Sequence, residues 1–195
     1  MESAIPEPSP NTEKSLALAS LLFPGEEWVQ REPNIWVAKS RISVSSRESA
    51  KLAWEIDHAR ILTSRGRAVY FLPEQENADA LGKLSADTVI DGQIVELKAV
   101  IGTRQTLGFE FKKGYKQGAA LKRRCPGTQG HSVFIRLFSS LEIDSVKAKV
   151  AGKLKNRLDE GSFICYFENI GKLHTWTYGE LRAIIRKGKK MPGPE

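Results

Sequence analysis

Leu52, Ile56, Ala59, Leu62 and Thr63 recur at the spacing of one helix face, behind Ser46 and Glu48, which suit a helix start. Glu55 sits at the edge of that apolar side, so a carboxylate is expected to point toward the core. Gly66 ends this helix, and Ala68 to Leu72 reads as a buried strand closed by Pro73. Residues 74 to 86 are polar and irregular. Two β-prone runs follow, Asp87 to Ile90 and Gln93 to Val100, separated by Asp91-Gly92, the strongest short-range hairpin signal. From Leu107 the period is helical again. Leu107, Phe111, Gly114, Gly118 and Leu121 share the inner face, and its small residues allow close approach to a sheet. Ser132 to Phe138 predicts a further strand, and Ile143, Val146, Val150 and Leu154 a further amphipathic helix whose other faces are basic. A hairpin is expected over 162–167 and 173–176, turning at 169–171, with a last helix over 178–186.

The ends lack such patterns. Residues 1–14 contain three prolines and few apolar side chains, the composition of a disordered tail, as does 188–195. Residues 15–45 read as an N-terminal accessory segment: a short helix from Ser15 to Phe23, then a loop around Pro33 flanked by Trp28 and Trp36. Residues 46–187 then form the main domain, with its core in 48–138.

Composition narrows the function classes. A chain of 195 residues with 41% hydrophobic positions can build a core. No stretch approaches the ~18 apolar residues of a membrane span, and no basic segment leads into an apolar run at the start, so neither a membrane protein nor a secretory precursor is expected. Cys125 and Cys165 lie far apart, which supports neither a disulfide framework nor a structural zinc site. The sequence contains no GxxxxGK[ST], GxGxxG or GxSxG pattern. Charge is the asymmetric property. Lys98 to Arg157 holds 14 Lys and Arg against three acids, whereas the whole chain carries +7. That concentration points to a polyanionic partner, nucleic acid first.

The hairpin register brings candidate chemistry together. With a two-residue turn at Asp91-Gly92, Ile90 pairs with Gln93 and Asp87 falls opposite Glu96. Lys98 lies two residues further along the strand and projects from the same face. Two opposed carboxylates beside an ammonium group suit a hard cation, and Mg²⁺ or Mn²⁺ held there suits phosphodiester hydrolysis. Glu55 is a candidate third carboxylate. Arg104, Lys112, Lys113, Lys116, Lys122, Arg123 and Arg124 follow on the basic segment and are candidates to hold phosphates. His58, His131 and His174 lack neighbours at metal-ligand spacing.

Asp87, Glu96 and Lys98 resemble the PD-(D/E)xK nuclease motif, with Ala86 where proline usually stands. The element order resembles that superfamily's αβββαβ core, which implies an α/β fold with a mixed central sheet flanked by helices. More narrowly, EIDHARILTSRGRAVYFLPE, SADTVIDGQIVELK and FKKGYKQGAAL resemble the tRNA nuclease domain at the C-terminal end of bacterial contact-dependent growth inhibition toxins. The resemblance spans residues 48 to about 138. It implies Glu55, Asp87 and Glu96 as catalytic acids or metal ligands, Lys98 as the motif lysine, and Lys113 or Lys116 as the helix lysine. It also implies RNA rather than DNA as substrate, action in the cytoplasm, and a cognate immunity protein as partner. The competing expectation is a nucleic-acid-binding or interaction module that keeps the scaffold without turnover.

Overall fold

Among the described residues, eight strands pair strictly in chain order into one mixed sheet flanked by helices, an α/β architecture. The computed structural model describes residues 10–42, 46–74, 86–124, 128, 130–138, 141–154, 164–169 and 171–188. The elements are α1 (Pro10–Leu22), β1 (Trp28–Glu32), β2 (Ile35–Ala38), α2 (Lys39–Ile42), α3 (Ser46–Thr63), β3 (Val69–Phe71), β4 (Thr88–Ile90) and β5 (Gln93–Val100). Then come α4 (Arg104–Arg124), β6 (His131–Leu137), α5 (Ile143–Leu154), β7 (Ile164–Asn169), β8 (Lys172–Thr177) and α6 (Tyr178–Gly188). From α3 to β6 the order is α, β, β, β, α, β, as expected from the sequence.

Strands β2, β3, β5, β6 and β7 run one way, and β1, β4 and β8 the other. The hairpin register is the one the two-residue turn requires, with Ile90 opposite Gln93 and Thr88 opposite Val95. Asp91 and Gly92 both adopt positive φ, 50° and 77°, the backbone of a type I′ turn, which few residue pairs tolerate. Arg67 holds the Asp91 carboxylate, and the Gly92 N–H donates to Ser15 Oγ at 3.1 Å, which ties α1 to the hairpin.

Helices cover both faces. On one, Leu52, Ile56, Ala59 and Leu62 of α3 pack on Val69, Phe71, Val95, Leu97 and Phe134. On the other, α4, α5 and α6 bury Leu107, Phe111, Val146, Val150 and Leu181 against Val133, Ile135 and Leu137. α1 closes the remainder of that second face over Tyr70, Val89 and Ile94.

Two expectations need correction. Residues 10–14, assigned above to a disordered tail, form the first turns of α1. Pro10 starts the helix, where proline's fixed φ and missing N–H cost nothing. The loop expected around Pro33 is a tight turn between β1 and β2, and β2 pairs with β3, so this segment extends the main sheet rather than layering on it. Residues 1–9, 75–85 and 189–195, together with Cys125, lie outside the described residues.

Candidate active site

β4 and β5 meet at the end of the sheet where β3 and β5 terminate, and there the hairpin register brings Asp87 against Glu96. Asp87 precedes β4. Its main-chain oxygen accepts from Leu72 N at 3.0 Å, and its Oδ2 accepts from Leu97 N at 2.9 Å. These bonds fix the carboxylate across the strand pair. Glu96 is fully buried, and its Oε1 accepts from Lys98 Nζ. Its Oε2 is buried without a hydrogen-bond partner among the described residues. Burial, and then the charge of Asp87, push the Glu96 carboxyl well above its usual range, while Lys98 pulls the other way.

Helix α4 roofs this pair. A Cβ on Gly114 would lie 3.0 Å from Val133 Cγ1, 3.3 Å from Glu96 Cγ and 3.4 Å from Lys98 Cγ. The missing side chain is therefore what lets the helix rest directly on the carboxylate and the lysine. Gly114→Val is expected to destabilise the fold by about 2 kcal/mol through overpacking. Urea unfolding would check this, and a stability equal to the parent would contradict it.

Glu55 reaches the same end of the sheet from the opposite layer. It is buried at 4% exposure and bound by Arg41, with Lys51 Nζ 3.6 Å away. Burial raises its carboxyl, Arg41 and Lys51 oppose that, and the negative Asp87 adds to it. Arg41 also donates to Leu72 O at 3.2 Å and to Glu74 at 3.1 Å. Leu72 thus links the two clusters, receiving Arg41 on its carbonyl and bonding Asp87 through its N–H. The structure accordingly brings Asp87, Glu96 and Lys98 together and places Glu55 alongside, in an ion-pair cluster of its own. Among the described residues no three His, Cys, Asp or Glu side chains form a metal-binding group.

Sequence reasoning missed Arg41. A cation 14 positions before its partner leaves no periodic signal. Lys51 was legible, because it stands one helical turn before Glu55.

The basic residues lie along α4. Arg104, Lys112, Lys113, Lys116 and Arg123 are exposed, and Lys122 is half-buried; the side chain of Arg124 lies outside the described residues. Among the described residues, Lys39, Lys51, Arg60, Arg67 and Arg136 each pair with a carboxylate. The exposed α4 cations have no such pair among the described residues. Surface cations elsewhere are neutralised locally, whereas this helix leaves its charge available to an outside anion.

His58 and His131 are both buried at 1% exposure. Phe111, on the inner face of α4, is core, and Phe109 is 64% exposed. Set beside known proteins, the chain matches no family model, no curated protein and no solved structure. No helix among the described residues is long and apolar enough to cross a membrane.

Proposed function

We propose that this chain is a metal-dependent nuclease that hydrolyses phosphodiester bonds, with RNA of tRNA type as the favoured substrate. The observation that carries the proposal is the buried Glu96 Oε2, which has no donor among the described residues and belongs to a carboxyl facing a second carboxylate. Unpaired buried oxygens are costly, and a hard divalent cation satisfies two of them at once. The donor set therefore fits Mg²⁺ or Mn²⁺, with Asp87 and Glu96 as the residues that would hold it. A cation there would supply Lewis-acid stabilisation of phosphoryl oxygens and a water of lowered pKa.

The chain's own residues supply the rest. The main-chain N–H of Leu97 orients Asp87. Lys98, beside Glu96, provides a positive charge for the phosphate under attack, and Gly114 keeps α4 close enough to exclude water from the pair. Lys112, Lys113, Lys116 and Arg104 offer unpaired charge to the neighbouring phosphates. Glu55, held by Arg41, shapes the field at Asp87 from the opposite layer. RNA as substrate, toxin action in the cytoplasm and a cognate immunity protein rest on the family resemblance alone.

A second reading is favoured by one observation: Lys98 already occupies one oxygen of Glu96, and Arg41 occupies Glu55. A scaffold that binds nucleic acid without turnover would keep such pairs permanently. One experiment separates the two. The protein is incubated with tRNA, total RNA and single- and double-stranded DNA in Mg²⁺, Mn²⁺ or EDTA, beside Asp87→Asn, and melting temperatures are recorded with and without metal. The nuclease reading expects metal-dependent cleavage lost in the variant, and a metal-induced rise in melting temperature that the variant lacks. Binding without cleavage, and no thermal response to metal, supports the second reading.

A further inference from the structure

The described residues hold a second polar and aromatic cluster at the same end of the sheet, on the face covered by α3. Trp54 and Phe138 are 47% and 46% exposed, large values for such side chains in a folded protein. They are joined through the buried His58, whose ring lies 3.8 Å from that of Trp54 and 5.9 Å from that of Phe138, centroid to centroid. His58 Nδ1 is 3.0 Å from the Trp54 carbonyl oxygen. A carbonyl can only accept, so Nδ1 carries the proton and donates it, which locks the imidazole beneath the indole. Nε2 is then an acceptor, and it is buried without a partner among the described residues. The indole is thus held rigidly at the surface over a ring that still lacks one donor.

Charge beside the cluster is internally balanced. The Arg136 guanidinium lies 5.0 Å from the Phe138 ring centroid, and it is paired with Asp57 at 2.8 Å and Glu168 at 3.2 Å. These exposed rings therefore form a neutral aromatic shelf, in contrast to the unpaired cations of α4. Phe138 N–H donates to Val100 O at 2.9 Å, and Phe138 stands three residues beyond Ile135, the register partner of Lys98. That offset is about 10 Å along the strand, comparable to the reach of one or two nucleotides. Trp54 directly precedes Glu55 in α3.

From this arrangement we infer that Trp54 and Phe138 form a stacking platform for an unpaired base of a nucleic-acid strand whose phosphates are held by the α4 cations. The inference rests on the nuclease reading only in taking the partner to be nucleic acid. A neutral, flat, rigid surface suits the π-face of a base, which carries no charge, and does not suit phosphate. Exposed area confined to a few side chains is far below the ~20–30 residues per side of a stable protein interface, so a second protein chain is the weaker occupant. Bases inside a duplex are stacked already and cannot use the shelf.

The test measures anisotropy of labelled single-stranded oligonucleotides and matched duplexes, as RNA and as DNA, in EDTA over a range of salt. The proteins are the full chain, Trp54→Ala, Trp54→Phe and Phe138→Ala. Single-strand affinity should fall about 5- to 100-fold in Trp54→Ala and recover largely in Trp54→Phe. Duplex affinity and the slope of affinity against salt should stay unchanged, because no phosphate contact is removed. Unchanged single-strand affinity, an equal loss for duplex, or a reduced salt slope overturns the inference. So does a loss of self-association in Trp54→Ala without any change in single-strand binding, which would assign the shelf to a second copy of the chain. Because EDTA removes turnover from the readout, a protein that stacks bases and never cuts them keeps this inference and loses the nuclease. One that cuts RNA with Trp54→Ala affinity intact does the reverse.

Discussion

Glu96→Gln is expected to abolish cleavage and at the same time make the protein more stable at neutral pH. The carboxyl is fully buried against Asp87, and burial is the largest cause of its raised pKa. A carboxyl whose pKa rises on folding binds its proton more tightly in the folded state. The stability it contributes is present below its ordinary value of 4.5 and is lost as pH climbs through the folded value. Glutamine keeps the shape without the charge, so its advantage should open as pH rises above 4.5. A gain of about 1–2 kcal/mol at pH 7.5 is expected, since removing the functional strain of a site commonly recovers that much. Lys98 loses its counter-ion and offsets part of it. Urea unfolding of both proteins at pH 4.5 and pH 7.5 checks the claim, and a variant less stable than the parent at pH 7.5 sinks it. Cleavage should fall about 10³-fold, the scale for removing a group that acts on developing charge.

The second large effect is acid destabilisation at a site with no role in the chemistry. His131 opens β6, is buried at 1% exposure, and meets the Tyr115 ring edge-on with centroids 4.9 Å apart. A Cβ on Gly118 would come within 3.0 Å of its ring, so α4 presses on it without a gap. Burial, followed by the charges of Lys122 and Arg123, pushes its pKa down from 6.5 to about 4. The unfolded chain therefore binds this proton before the folded one does. Stability is full above pH 6.5 and is lost as pH falls toward 4, by about 3 kcal/mol in all. His131→Phe should remove that slope while keeping a ring against Tyr115. Because the Glu96 proton works in the opposite sense, the two variants measured from pH 4 to 8 separate the contributions. A parent slope that His131→Phe leaves untouched would falsify the assignment.

What could be read beforehand followed from constraints that act over a few residues. Asp91-Gly92 permits positive φ at two successive positions, and once that turn is placed, pairing arithmetic carries Asp87 to Glu96. Gly114 and Gly118 on the inner face of α4 announced a close approach, although not that the surface approached would be Glu96, Lys98 and His131. Pro10 was misleading because proline marks loops far more often than first turns. The β1–β2 segment was missed for another reason: Val29 and Trp36 are only partly buried, so its alternation is weak. Arg41 and Glu55 meet through three-dimensional packing of α2 on α3, as do Trp54, His58 and Phe138 across two layers. No pattern along the chain encodes such meetings, and they are where site geometry departs most from expectation.

The strictly sequential strand order has a kinetic corollary. Each strand finds its partner in the strand just before it, so the sheet can lengthen from one edge to the other as chain becomes available, without waiting for a distant segment to return. Asp87 and Glu96 come together when the β4–β5 hairpin closes, ahead of the basic helix that roofs them. A chain threaded end-first through a narrow passage, from a ribosome or across an envelope, meets no topological obstacle to rebuilding itself on the far side.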